Sequence, residues 1–196
     1  MQKTQLETLI RTNRSYRRFH QKTAIETKTL RELINLARLS ASASNLQPLK
    51  YILVNEPDRN AQVFSTLGWA GYLKDWAGPQ EGERPAAYII ILQDTEISKS
   101  SQYPKYDTGI AIQSILLGAR TRGLGGCMFG SVQRPQLREA FHIPEQYEIL
   151  LVLALGEPKE QVQIDTLGQD RDIKYWRDEE SVHHVPKRSL EEIILE

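Results

Sequence analysis

The chain has 196 residues, 40% of them hydrophobic and 26% charged, with 25 Lys+Arg against 25 Asp+Glu. That is globular composition, and its zero formal charge argues against a protein held to a polyanion by a general basic surplus. The single cysteine, Cys127, excludes an internal disulfide framework and a multi-cysteine metal site.

At this length one domain covering 1–196 is expected. Leu6, Leu9 and Ile10 fall at helical spacing and open a short first helix that runs into Arg11-Thr-Asn-Arg-Ser-Tyr-Arg-Arg18. A second helix is signalled by the stripe Leu30, Leu33, Ile34 and Ala37, with Thr29 and Glu32 as a capping box. It dissolves into Ser40-Ala-Ser-Ala-Ser-Asn45, and a strand over Tyr51–Val54 follows. Asp58–Leu67 reads as a third helix and Gly68–Pro85 as a loop carrying Gly and Trp. The isoleucine run in Ala87–Leu92 predicts a strand buried on both faces. Asp107–Arg122 is the longest helical pattern and is apolar on most sides, so it needs cover all round, in the middle of the fold or at a subunit interface. Gly123-Leu-Gly-Gly126 ends it; Cys127–Val132 reads as a short strand, Pro135 to His142 as a small helix, and Tyr147–Leu155 as a strand.

Residues 157–196 form a polar tail with little periodicity before Leu190–Leu195. Forty residues without a core are unusual in a compact domain. The tail is either disordered or laid across another surface such as a partner subunit, and Tyr175, Trp176 and Val185 favour the second. No apolar run approaches the roughly 20 residues of a membrane span, and the N-terminus has no apolar stretch fit for a secretory signal. A soluble cytoplasmic protein of α/β or α+β class is expected.

Four arginines (Arg11, Arg14, Arg17, Arg18) and Ser15 fall within eight residues. Guanidinium forks with a hydroxyl among them suit a phosphate; a solvated basic helix end explains the same residues about equally well. Gly123, Gly125 and Gly126 fail as a dinucleotide fingerprint, since Met128 stands where the third glycine belongs and the segment follows a helix. Cys127 reads as core packing, and His183-His184 as surface histidines whose side chains point opposite ways on a strand. No carboxylate pair divides into acid and base, and the scattered aromatics offer no stacking platform for single strands. Ser42, Ser44, Asn45 and Gln47 form a polar cluster that serves either a polar heterocycle or the turn itself. Lys187-Arg188 is a basic pair that means little alone.

In order, these segments resemble the FMN-dependent nitroreductase family. Asn13-Arg-Ser-Tyr-Arg-Arg-Phe19 resembles its opening phosphate motif, and Ser42-Ala-Ser-Asn-Leu-Gln-Pro48 its Ser-rich segment ending Asn-x-Gln-Pro. Gly123-Leu-Gly-Gly-Cys-Met-Phe-Gly130 is similar to the stretch passing the flavin ring, and Val185-Pro-Lys-Arg-Ser-Leu190 to the C-terminal basic clamp. The resemblance implies an α+β fold: a three-layer α/β/α sandwich with a mixed, mainly antiparallel sheet, built as an intertwined homodimer with two flavins at the interface and residues 157–196 wrapping the partner. It implies that Arg14, Ser15, Arg17 and Arg188 hold the FMN phosphate, with Lys187 a weaker candidate. Ser42, Asn45 and Gln47 would reach the ring or ribityl chain from the other subunit, and backbone groups of Met128, Phe129 and Gly130 would face the flavin N5 side. No catalytic side chain and no metal are implied.

Two departures stand out: Asn13 replaces the first basic residue of the opening pair, and Leu49 stands where an aromatic often follows Gln-Pro. The implied activity is ping-pong reduction of a nitroaromatic, quinone or similar small acceptor by NADH or NADPH, without nucleic-acid or membrane partners. The alternative from the residues is a non-enzymatic module binding an anion or nucleic acid through Arg11–Arg18. Relatives of this fold that dehalogenate, dehydrogenate or fragment flavin keep the cofactor and change the chemistry.

Overall fold

The computed structural model describes residues 5–100 and 102–195. Its centre is a four-stranded sheet in the order β1-β2-β4-β3, from Leu49–Val54 (β1), Ala87–Asp94 (β2), Gly125–Phe129 (β3) and Tyr147–Gly156 (β4). Every pairing in it is antiparallel. β2 is buried at all eight positions, as its isoleucine run predicts, because helices cover both faces. The alternation along β2 and β4 divides the core. Ile89, Ile91, Leu153 and Leu155 pack with Leu30, Leu33, Ile112 and Ile115 on one side. Tyr88, Ile90, Val152 and Ala154 pack with Val63, Leu137 and Phe141 on the other. A side chain fully buried in this way contributes about 1.5–3 kcal/mol.

The first face carries α2 (Thr27–Leu39) and α4 (Tyr103–Arg120), and the second α3 (Pro57–Phe64) and α5 (Arg134–Phe141). α1 (Gln5–Thr12) lies against α4. Gly118 lets α2 and α4 approach, since a Cβ there would run into Leu36. The expected capping box does not form. α2 starts three residues earlier, with Glu26 rather than Thr29 at its N-cap and no side-chain cap bond, so Thr29 and Glu32 lie within the helix. β3 also starts earlier, taking Gly125 and Gly126 into the strand, where Gly126 meets Ala154 O and allows no Cβ. α4 leaves Tyr103, Tyr106 and Ile110 exposed on one side. Among the described residues no helix is long and apolar enough to cross a membrane.

The tail has elements that its weak periodicity hid. Val162–Thr166 (β5), Trp176–Arg177 (β6) and His183–Lys187 (β7) make a second sheet, ordered β5-β7-β6, and Leu190–Ile193 is a short helix, α6. β5 and β7 run parallel, and a single parallel bridge joins Ser15 to Gly126 on the free edge of β3. The parallel pairing therefore lies outside the four-stranded sheet. β6 has only two residues and β7 five, so neither carries a long apolar run.

Candidate functional site

The N-terminal basic segment leaves α1 and lies along the outer edge of β3, where Tyr16 N donates to Gly126 O at 3.0 Å. Its four arginines meet different fates. Arg11 pairs with Glu7 at 2.9 Å in α1, and Arg18 forms a two-pronged bond to Glu83 at 2.6 and 2.7 Å. Arg14 turns back on α1, donating to Asn13 O at 2.6 Å and Ile10 O at 2.8 Å. Arg17 donates to Ser15 O at 3.2 Å, lies 3.0 Å from His183 Nε2, and sits 4.4 Å over the Tyr175 ring. Among the described residues neither Arg14 nor Arg17 has a carboxylate ion-pair partner. Partial burial lowers the Arg14 pKa, because it strips part of the cation's hydration.

Arg14, Ser15 and Arg17 line a cavity of 340 Å³ together with Asn13, Gln113, Cys127, Met128, Tyr175, His183, Val185 and Lys187. The tail builds one wall of it: His183, Val185 and Lys187 alternate along β7 and share the face that a period of two dictates. On the opposite face His184 is held by Asp165 at 2.7 Å and Asp178 at 3.1 Å and stacks on Trp176 at 4.1 Å. Those carboxylates raise the His184 pKa, Asp178 first.

The doublet does point two ways, but His183 is not a surface residue: it is fully buried. Burial first, then Arg17 and Arg177, push its pKa down to about 4, so at neutral pH it is uncharged. Buried Glu160 ties tail to motif, accepting from Arg17 N, from Arg18 N at 3.2 Å and from Arg177 Nη2 at 3.0 Å.

Of the residues expected to act together, Arg14, Ser15, Arg17, Met128 and Lys187 converge on this cavity. Arg188, expected to be the stronger half of the basic pair, is bonded instead to Glu192 at 2.6 Å and lies outside the lining. The two exchange roles because β7 ends at Lys187 and the chain turns into α6. Phe129 puts its ring into the core, 4.5 Å from Trp69, while Met128 is half-exposed and Gly130 exposed just past the strand. Cys127 is buried and its thiol is pushed up to about 11, chiefly by burial, so it is inert as a nucleophile.

Ser42 and Gln47 line a separate pocket of 260 Å³ with Tyr51 and Asp107. There the buried Asp107 carboxylate accepts from Ser42 Oγ at 2.6 Å and Ala43 N at 2.9 Å, and Ser42 Oγ accepts from Gln47 N at 3.0 Å. This knot holds Ser44, Asn45 and Gln47 at φ of 50°, 53° and 53°, left-handed geometry that non-glycine residues adopt at a cost. Asn45 and Gln47 are exposed, and the Gln47 amide donates to Asn45 O at 3.2 Å. Gln113, Tyr175, His183 and Val185 are not expected at this site from the sequence: Gln113 carries no signal, Tyr175 and Val185 mark only a docked tail, Val185 also opening the clamp motif, and His183 reads as a surface residue.

The Nitroreductase family profile matches residues 10–157, which include the basic segment, the polar knot and the whole central sheet. The chain belongs to the nitroreductase family. Its relatives include a protein of Archaeoglobus fulgidus named for NADH dehydrogenase/NAD(P)H nitroreductase, 28% identical over 78% of this chain and 85% of its own. A nitroreductase family protein from Clostridium novyi shares the fold with a TM-score of 0.65 at 22% identity, covering 96% of this chain and 98% of that one. A nitroreductase from Exiguobacterium sibiricum solved in complex with FMN matches with a TM-score of 0.64 at 16% identity, over 82% and 91% of the two chains. The three-layer α+β fold expected from the motifs is thus the fold of this oxidoreductase family.

Proposed function

We propose that the chain is an FMN-dependent oxidoreductase that uses NADH or NADPH to reduce a nitroaromatic, quinone or similar small acceptor. The observation that carries the reading is the convergence of Arg14, Arg17, Ser15 and Lys187 on one cavity without a carboxylate ion pair to Arg14 or Arg17 among the described residues. Partly desolvated cations left unpaired in this way are unfavourable until an anion arrives, and a phosphate monoester fits them. Asn13 and His183, two residues of the same lining, each hold a buried atom, Oδ1 and Nδ1, without a hydrogen-bond partner among the described residues, which also fits a polar ligand there. The diversion of Arg11 to Glu7 and Arg18 to Glu83 narrows the basic segment to one phosphate, favouring a mononucleotide over a nucleic acid.

When bound, FMN supplies the two-electron chemistry that links a nicotinamide donor to the acceptor in alternate turns. The protein's part is to hold and shield. Arg14, Arg17 and Lys187 neutralise the phosphate, and Ser15 adds a hydroxyl. Backbone groups at Met128, Phe129 and Gly130 line the approach along β3. Ser42 and Gln47 line a pocket of their own, with Asn45 exposed beside it, and a second copy of this chain brings all three to the Arg14 cavity in the proposed homodimer. The exposed Tyr103, Tyr106 and Ile110 of α4 offer the apolar surface for that pairing.

The test is optical. Protein reconstituted with FMN should become yellow and bleach on anaerobic addition of NADH or NADPH; protein that takes up no FMN overturns the reading. Arg14→Ala should weaken FMN binding by about 10- to 100-fold, because a charge-assisted phosphate contact is worth about 1.5–3 kcal/mol. Unchanged affinity would remove Arg14 from the site.

A further inference from the structure

The tail contributes more to the cavity than Lys187. His183 Nε2 lies 3.0 Å from Arg17 Nη1. A guanidinium only donates, so Nε2 must accept, and a neutral imidazole with one accepting nitrogen carries its proton on the other. Arg17 thereby sets the tautomer. The proton is on Nδ1, and that N–H is buried without a hydrogen-bond partner among the described residues, in a residue that lines the cavity. An orphaned buried donor costs about 1–3 kcal/mol unless something fills it. Everything around the ring holds it in place. Tyr175 packs on it with centroids 5.1 Å apart, its backbone N donates to Gln161 O at 2.9 Å, and strands β5 and β6 flank it.

We propose that His183 is an anion-binding residue: a neutral imidazole that presents Nδ1–H to a phosphate oxygen of the ligand seated between Arg14, Arg17 and Lys187. The proposal rests on the reading of this cavity as a phosphate-ester site and deepens it by adding a fifth, uncharged donor from the C-terminal tail. An uncharged donor suits the position. A second cation at 3.0 Å from Arg17 would be repelled; burial first, and then the repulsion from Arg17 and Arg177, keep the ring neutral. Tail and anion are thereby linked, because the strand that delivers His183 and Lys187 must be docked for the anion to be fully held.

Two substitutions separate the two nitrogens. His183→Asn places an amide donor where Nδ1 was and abandons the Arg17 contact. His183→Gln places a carbonyl oxygen where Nε2 was, keeps that contact and loses the δ donor. Each is measured for FMN and inorganic phosphate binding by calorimetry, with urea midpoints to correct for folding. The expected order is wild type, then Asn close behind, then Gln weaker by about 10-fold or more. If Gln binds like wild type while Asn is the weaker, His183 merely positions Arg17 and the proposal fails; equal affinities for all three also overturn it.

Nitrogen NMR of the ligand-free protein gives a readout independent of any ligand. The His183 ring should show a protonated Nδ1 at pH 7, and a protonated Nε2 refutes the tautomer argument outright. Should the wild type bind phosphate and no FMN, the flavin reading falls while the order among variants still decides His183. Binding of neither overturns both.

Discussion

Replacing Glu160 with alanine tests how the tail is fastened to the basic segment. The Glu160 side chain is only 1% exposed, and its Arg177 partner 16%. It accepts from the backbone N–H of Arg17 and of Arg18 and from the Arg177 guanidinium, so one carboxylate joins the N-terminal motif to β6. Removing one partner of a buried ion pair costs about 3–5 kcal/mol, and leaving a buried N–H unpaired costs about 1–3 kcal/mol. These terms overlap, because Arg177 lies over the Trp76 ring at 4.3 Å and can turn toward solvent. The low end, about 3 kcal/mol, is therefore expected. For a chain of this size that lowers Tm by about 6–12 °C, measured by circular dichroism at fixed protein concentration. Glu160→Gln keeps one carbonyl acceptor but sets an amide against Arg177, so it should fall between the two. Limited trypsinolysis adds a local readout: in Glu160→Ala the tail should be cut after Arg177 or Lys187 before the central sheet is. A Tm loss below about 2 °C, with the tail still protected, would refute the reasoning.

Acid stability should report on Glu83, which bonds Arg18 and Lys159 and whose pKa is lowered to about 2, Arg18 being the largest cause. A depressed carboxylate contributes stability that is present above its ordinary value of 4.5 and is lost as pH falls toward about 2. At about 1.4 kcal/mol per pH unit the contribution is at most about 3 kcal/mol, so Glu83→Gln should be less stable at pH 7 and converge on wild type near pH 2 in urea titrations. Parallel curves would refute it. Gly126→Ala should lose several kcal/mol or fail to fold, because its Cβ would meet Ala154 O at 2.5 Å and Leu116 Cδ2 at 2.8 Å. A variant with unchanged Tm would show that β3 can shift away from β4.

What could be read in advance depended on how local the deciding contacts are. Ile89–Ile91 announce a doubly covered strand because burial on both faces leaves its mark on every residue. The arginine cluster raises the expectation of an anion for a similarly local reason. Its division does not, since Glu83 lies 65 residues from Arg18. α2 shows local chemistry overridden: Thr29 and Glu32 have the spacing of a capping box, yet the helix begins at Thr27. His183 shows the opposite failure. Alternation with Val185 and Lys187 was visible, but which side of a strand is inside depends on the strand beside it. Here that neighbour is β5, which pairs with β7 directly and in parallel although the two-residue β6 lies between them in the chain. Arg188 was the better match by motif and Lys187 the better by geometry, because the motif gives an order of residues and β7 gives them a face.

The charge balance is best understood through those pairings. Zero net charge over 25 cations and 25 anions is compatible with cations paired everywhere, in which case no anion site would exist. The structure instead satisfies the basic segment selectively. Arg11 and Arg18 find carboxylates in Glu7 and Glu83, and Glu160 takes Arg177 while using its other oxygen on backbone N–H groups. Arg14 and Arg17, between them in sequence, receive backbone carbonyls, an aromatic face and a neutral histidine. Each of those partners orients a guanidinium without cancelling its charge. Replacing any one with a carboxylate would stabilise the empty protein and abolish the site. A nearby acid is therefore what an anion-binding arginine must lack, and the separation of paired from unpaired cations within eight residues is the feature on which the proposed phosphate site rests.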